Sequence, residues 1–198
     1  MELADYAIRA HAKRFVFFST GGVYRPTEQR LTEQSIVAPP DTYTQSKLDG
    51  EVAAQSLKGD LVVQILRLFF PFGPTQRDRL IPNLIERVLH DKPIRLSNVA
   101  GKPLVTPLYV DDLIEYVRRL LAVPQSLTAN LAGDEAVSIR ALAEMIGKML
   151  KRNVSFEINE GEQACNWWGD NHLISRLTEY SPRVSLELGL IRTIASLN

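Results

Sequence analysis

Two side chains with acid–base chemistry stand four residues apart in the run Tyr43-Thr44-Gln45-Ser46-Lys47. On a helix this spacing puts both on one face. An ammonium beside a phenol favours the phenolate, which lets the tyrosine act as a general acid or base near neutral pH. Upstream, Ser19-Thr20 closes an apolar run. A hydroxyl at the end of such a strand can orient a substrate oxygen. The bland alternative is a helix-surface pair worth about 0.2–0.5 kcal/mol, with Thr20 as a turn hydroxyl satisfying local backbone.

The surrounding pattern predicts the elements that would position these groups. Leu3, Tyr6, Ala7 and Ala10 recur at helical spacing over Glu2 to Ala12. Arg14 to Ser19 is a strand whose apolar residues do not alternate with polar ones, so both faces should be covered, as in a parallel sheet. Thr20-Gly21-Gly22-Val23-Tyr24 is the turn leaving its C-terminal end, where ligands of open α/β sheets bind. A polar loop over 25–40 ends in Pro39-Pro40. Asp41 or Thr42 then caps a helix running to about Leu57. Lys58-Gly59-Asp60 is a break, and Leu61 to Leu68 is a second buried-type strand.

This order is half of a doubly wound α/β fold. From Phe69 onward, prolines and glycines punctuate shorter elements. Helices are expected over 80–90, 112–122, 139–150 and 171–178, and strands over 94–96, 104–109, 128–131 and 154–158. Asp111-Asp112 is expected to cap a helix Leu113–Leu121, and Ser138 one over Ile139–Leu150. Residues 1–68 thus read as a partial Rossmann-like domain carrying the Tyr-x-x-x-Lys helix. Residues 69–198 read as a small mixed α/β lobe, mainly for substrate, with some segments returning to the sheet.

Composition excludes several classes of function. The chain has 198 residues, 45% hydrophobic and 23% charged, with 23 basic and 23 acidic side chains. That balance gives no pull toward nucleic acid, a membrane surface or a polyanion. No run approaches the ~20 apolar residues of a membrane span. Residues 1–12 are amphipathic and charged, unlike a signal peptide. The single cysteine, Cys165, rules out an internal disulfide and fits a reducing cytoplasm. His11, His90 and His172 lack metal-ligand spacing, so no metal is expected. Trp167-Trp168 either lines a cleft or packs the lobe.

Seven pieces in order carry a family resemblance: Phe17-Phe18-Ser19-Thr20-Gly21-Gly22-Val23-Tyr24; Tyr43 to Glu51; Leu66-Arg67-Leu68 with Gly73-Pro74; Leu80-Ile81-Pro82-Asn83-Leu84; Lys92-Pro93-Ile94; Tyr109 to Leu113; and Ser185 to Leu190. The chain resembles the extended short-chain dehydrogenase/reductase family, the NAD-dependent sugar epimerases and dehydratases. The resemblance implies Thr20, Tyr43 and Lys47 as the catalytic set. It implies NAD or NADP as cofactor, touched by Ser19, Tyr43, Lys47 and Pro71, with Lys47 on the nicotinamide ribose. It implies Gly21, Gly22, Phe70 and Asn83 on the side of a carbohydrate or sugar-nucleotide substrate. Tyr24 is read as packing. Gly21-Gly22 are expected to let the backbone approach a ligand or adopt positive φ.

The sequence departs from the family in three places. No G-x-G-x-x-G or G-x-x-G-x-x-G occurs in it, so the expectation is that roughly 100 residues of nucleotide-binding half are missing. Gly21-Gly22 replace the Asp-Glu pair of the 4,6-dehydratase branch. Phe70 and Val105 replace an asparagine and an arginine at the substrate diphosphate, leaving Arg77, Arg79 and Lys102 as candidate anion partners. Two functions follow as expectations: an incomplete NAD(P)-dependent oxidoreductase or isomerase, or a catalytically silent remnant that binds a ligand or partner. The strand Arg14–Ser19 would present an exposed edge, inviting a second copy or another chain.

Overall fold

Strand β1 (Arg14–Thr20) is formed by Arg14-Phe15-Val16-Phe17-Phe18-Ser19-Thr20 in the computed structural model, which describes residues 2–57, 61–98, 100–159 and 165–197. The Lys58-Gly59-Asp60 break lies outside the described residues. Helix α1 (Glu2–Arg9) precedes β1 and ends sooner than its spacing predicts. His11 takes a left-handed φ of 52°, and Ala12 N–H closes onto the Ala7 carbonyl at 3.0 Å, a common way to stop a helix. After β1 comes a short 3₁₀ turn over Gly21–Val23, then helix α2 (Thr42–Gln55) and strand β2 (Val62–Leu68).

β1 and β2 run parallel, with Arg14 opposite Val62 and Thr20 opposite Leu68. Strand β7 (Leu127–Leu131) adds parallel to β2, giving the order β1-β2-β7. The pleat sorts the side chains. Phe15 and Phe17 from β1 and Val63 and Ile65 from β2 pack with Ala54 of α2 on one face. Val16, Leu66 and Leu68 face the other way, into a cluster with Leu108, Tyr116 and Leu120 and with Ile174. Both faces are therefore covered, as the unbroken apolar runs predict. Beyond β1 no further strand pairs among the described residues, and Phe18 on this edge is 42% exposed.

The remaining elements cover the second face of this sheet and pack beyond it. They are β3 (Pro71–Phe72), α3 (Leu80–Leu89), β4 (Ile94–Leu96), β5 (Leu104–Val105), β6 (Leu108–Tyr109), α4 (Val110–Leu120), β8 (Val137–Ser138), α5 (Ile139–Leu150), β9 (Phe156–Ile158), α6 (His172–Thr178) and α7 (Leu186–Ala195). β3 pairs β6, β4 pairs β9 and β5 pairs β8. Ile81, Leu84, Ile85 and Val88 from α3 interlock with Leu142, Ala143 and Ile146 from α5 and with Leu190 from α7. The single strand expected over 104–109 is two strands, parted at Thr106-Pro107, where proline has no N–H to give a ladder. Among the described residues no helix is long and apolar enough to cross a membrane.

Ser138 caps α5 as expected, accepting from Ala141 N–H at 3.1 Å. The Asp111-Asp112 cap is corrected. α4 already starts at Val110 after Tyr109, with no side-chain cap. Asp112 is buried and turns away from the helix to tie down the chain before α7. It accepts from Tyr180 Oη at 2.5 Å, Arg183 N at 2.9 Å and Val184 N at 3.1 Å. Asp111 instead meets Arg192 at 3.2 Å on the surface.

Candidate active site

The helix bearing Tyr43 and Lys47 starts where it does because of Asp41. Asp41 Oδ1 accepts from Thr44 N–H at 2.8 Å, while Thr44 Oγ1 accepts from Asp41 N–H at 3.3 Å. The Thr44 backbone N–H, and then the Thr44 hydroxyl donating to Oδ1 at 3.0 Å, hold the Asp41 carboxyl below the usual range. Tyr43 therefore sits in the first turn of α2, 58% exposed, beside the C-terminal ends of β1 and β2. Thr20 ends β1 and accepts from Gly22 N–H at 3.2 Å, which fixes the turn that follows.

A cavity of about 820 Å³ opens over these strand ends. Ser19, Thr20, Gly21, Gly22, Tyr43, Phe70 and Pro71 all lie on its wall. The structure thus gathers most of the residues expected from sequence. Lys47 stands just behind, its ammonium donating to the Phe18 carbonyl at 3.1 Å and lying 5.5 Å from the Phe17 ring centre. Asn83, like Lys47, is not on the wall; it is exposed on α3. The α3 wall is made by Leu80, Ile81, Leu84 and Arg87, and Asn83 stands at the outer edge of that helical face.

Of the two roles expected for Gly21 and Gly22, positive φ is corrected. Gly101 is the glycine with left-handed φ among the described residues, so neither Gly21 nor Gly22 needs that freedom. What they supply is room. A Cβ on Gly21 would sit 2.5 Å from the Phe69 ring, and one on Gly22 would sit 2.8 Å from Thr44 Cγ2. Phe70, by contrast, adopts φ 45°, an unusual conformation for an aromatic residue.

Of the expected anion partners, Arg79 is on the cavity wall. Lys102 is paired with Glu28, and Arg77 is exposed elsewhere. Arg87 and Arg95 join Arg79 on the wall, which the sequence reading did not include. Arg87 donates to the Pro93 carbonyl at 2.9 Å, and Arg95 meets Glu157 at 3.3 Å. Val105 and Trp167 are also there, so Trp167 is a cleft residue.

Beneath the wall lies a polar network. Buried Glu51 accepts from Ser19 Oγ at 2.5 Å, Arg67 Nε at 3.0 Å and Arg67 Nη2 at 2.6 Å. Burial opposes the Arg67 charge, but the Glu51 bonds and the neighbouring Tyr24 outweigh it and raise its pKa. The guanidinium lies 4.7 Å over the Tyr24 ring, and Tyr24 Oη donates to Asn130 Oδ1 at 2.8 Å. Tyr24 is fully buried, and its own pKa is raised chiefly by burial. It is packing, as expected. Glu51 and Arg67 fall within the family motifs, but their spacing alone assigns them no chemistry. A lone arginine inside the apolar run Leu61–Leu68 was the signal, since a buried charge needs a partner.

A family model described as the NAD dependent epimerase/dehydratase family matches residues 1–132. The chain belongs to this epimerase/dehydratase family. The uncharacterized UDP-glucose epimerase YtcB of Bacillus subtilis (strain 168) is 29% identical over 97% of the chain. The UDP-glucuronate 4-epimerase of Thermodesulfobacterium geofontis (strain OPF15) is 25% identical over 92% of it. The chain spans 63% and 58% of those relatives' lengths. The UDP-glucuronic acid 4-epimerase of Bacillus cereus, solved with UDP-glucuronic acid and NAD, superposes with a TM-score of 0.83 at 27% identity, over 99% of this chain and 65% of that one. MoeE5, solved with the same two ligands, has a TM-score of 0.88 at 23% identity, over 98% and 68%, and shows the shared fold. The α/β, Rossmann-like fold expected from sequence is thus that of family epimerases.

Proposed function

We propose that this chain carries the catalytic residues of a nicotinamide-dependent epimerase or oxidoreductase acting on a sugar or sugar nucleotide. One observation carries the reading. Thr20 and Tyr43, from different elements, open onto the same cavity at the C-terminal end of a parallel sheet. Among the described residues the Tyr43 hydroxyl has no hydrogen-bond partner, so it is free for a ligand.

The residues fit the nicotinamide-ribose end of NAD or NADP. Lys47 spends one N–H on the Phe18 carbonyl and keeps two for ribose hydroxyls. Pro71 lies on the wall, and Ser19 contributes through its backbone because Glu51 takes its hydroxyl. When bound, the cofactor supplies the hydride acceptor and donor. Tyr43 takes and returns the proton of a substrate hydroxyl, and Thr20 hydrogen-bonds the same oxygen. Gly21, Gly22 and Phe70 line the substrate side. The Gly21-Gly22 turn carries no acid for elimination, which favours epimerisation or oxidoreduction over dehydration. Arg79, Arg87 and Arg95 suit an anionic substrate group. The pyrophosphate cradle comes from outside these 198 residues, which hold no glycine-rich turn.

The test is calorimetric titration of NAD and NADP into the chain, followed by turnover of UDP-glucose and UDP-glucuronic acid. Tyr43→Phe should lower kcat by about 10²–10⁴-fold while leaving cofactor affinity within about a few-fold. Turnover unaffected by Tyr43→Phe overturns the reading. A second reading, a catalytically silent binding module, is favoured by Thr20 Oγ1 accepting from Gly22 N–H, the role of a turn hydroxyl. It predicts no cofactor binding at millimolar concentration. The β1 edge, beyond which no strand pairs among the described residues, is where a further strand of a longer polypeptide, a second copy or another chain would add. A strict monomer by light scattering at high concentration removes self-association.

A further inference from the structure

We propose that Glu51 is the positioning residue that sets Thr20 against Tyr43. It lies one helical repeat beyond Lys47 and two beyond Tyr43 on α2, so all three share a face. Its carboxylate reaches two strands at once. Ser19 Oγ, next to Thr20 on β1, donates to Oε1, and Arg67 on β2 grips both oxygens. Residue exposure is 1% for Glu51, 4% for Ser19 and 6% for Arg67, so water does not compete. α2 is held on β1 by packing, with Gly50 close against the Phe17 ring, and by the exposed Lys47 bond to the Phe18 carbonyl. Glu51 adds a short charge-assisted bond and a bidentate pair, both of which depend on distance and angle. The clamp therefore sharpens the coordinate that matters to the pair, the offset of α2 along β1. Glu51 itself is not on the cavity wall.

This rests on reading Thr20 and Tyr43 as the catalytic pair, and it is tested by geometry as well as rate. The test uses the chain with ¹³C-labelled threonine methyls and tyrosine rings, and each variant is read on the opposite element. Ser19→Ala, on β1, is read at the Tyr43 ring resonance on α2. Glu51→Gln, on α2, is read at the Thr20 methyl on β1. Both reporters should move, and Ser19→Thr, which keeps the hydroxyl, should return Tyr43 to its wild-type position. Thr193→Val deletes a buried hydroxyl bond to Gly189 in α7 and serves as the stability control; it should move neither reporter. Where turnover is measurable, Ser19→Ala should lower kcat about ten- to a hundredfold with KM within about twofold. Reporters that stay in place in folded Ser19→Ala and Glu51→Gln overturn the clamp, whether or not the chain is active. Reporters that move without any turnover support the clamp and count against the catalytic reading alone.

Discussion

Gly21→Ala is the sharpest probe of how the catalytic turn is held. The added Cβ would lie 2.5 Å from Phe69 Cε1 and Cζ and 2.8 Å from Cδ1. Carbon atoms prefer about 3.5–4.0 Å, so the ring must retreat by roughly 1 Å. It has nowhere to go. Gly169 backs its other edge, with its own Cβ direction 2.7 Å from Cδ2, and Tyr24 stacks on it at 6.3 Å and 26°. Phe69 is 1% exposed. Overpacking of this kind costs about 1–3 kcal/mol. A loss of about 2 kcal/mol lowers Tm by roughly 4–8 °C in a chain of this size. Urea unfolding should show a lower midpoint with unchanged slope. Phe69→Leu makes room, so the double variant should be more stable than the sum of the two losses, by about 0.5–3 kcal/mol of coupling. A Gly21→Ala loss under about 0.5 kcal/mol, or losses that simply add, refutes the account of a turn wedged against one ring.

Asp112→Ala strips the acceptor from one buried and two part-buried donors and should cost about 2–3 kcal/mol, whereas Asp111→Ala breaks only a surface pair and should cost under about 1 kcal/mol; equal losses in urea melts would restore the capping role. Ser138→Ala should cost about 1 kcal/mol through loss of the α5 cap, and no change in Tm would remove that role. Hydrogen bonds from Arg118 and Arg119 draw the Glu115 carboxyl down from 4.5 to about 2. A carboxyl lowered on folding stabilises above its unfolded value and loses that stabilisation as pH falls toward the folded one. The stability gap between wild type and Glu115→Gln should therefore close between pH 4.5 and about 2, and a gap that widens on acidification contradicts it.

Much of this architecture is legible in the residues because local chemistry agrees with it. Asp41 and Ser138 cap where a short polar residue meets a helical pattern, and the unbroken apolar runs of β1 and β2 announce strands covered on both sides. Three kinds of feature were not. Two-residue strands such as Pro71–Phe72 and Val137–Ser138 exist only because a distant partner lies beside them. Asp112 looks like a cap because its distant partners, Tyr180, Arg183 and Val184, cannot be seen from its neighbours. The α7 helix was visible only as the piece Ser185–Leu190, although Ser185 caps it by accepting from Leu188 N–H at 3.2 Å. Within the site, the hydroxyls and Lys47 could be picked by type and spacing. Asn83 could not be placed, because one helical step decides whether a residue faces the cavity or solvent. Arg87 and Arg95 reach the cavity through the pairing of α3 with β4, which no spacing encodes.

The all-parallel sheet also bears on how the chain acquires its shape. Arg14 meets Val62 and Gln64 meets Leu127, so no two neighbouring strands are joined by a hairpin. Every sheet contact must wait for a long loop to close before it returns any free energy. Helices α2 and α5 can flicker into existence early, but the strand ends that carry Thr20 are assembled late. During synthesis the Phe-rich β1 emerges well before its neighbour β2. Its refolding should be slow for the chain's length and lack a fast phase in sheet signals, as stopped-flow circular dichroism would show.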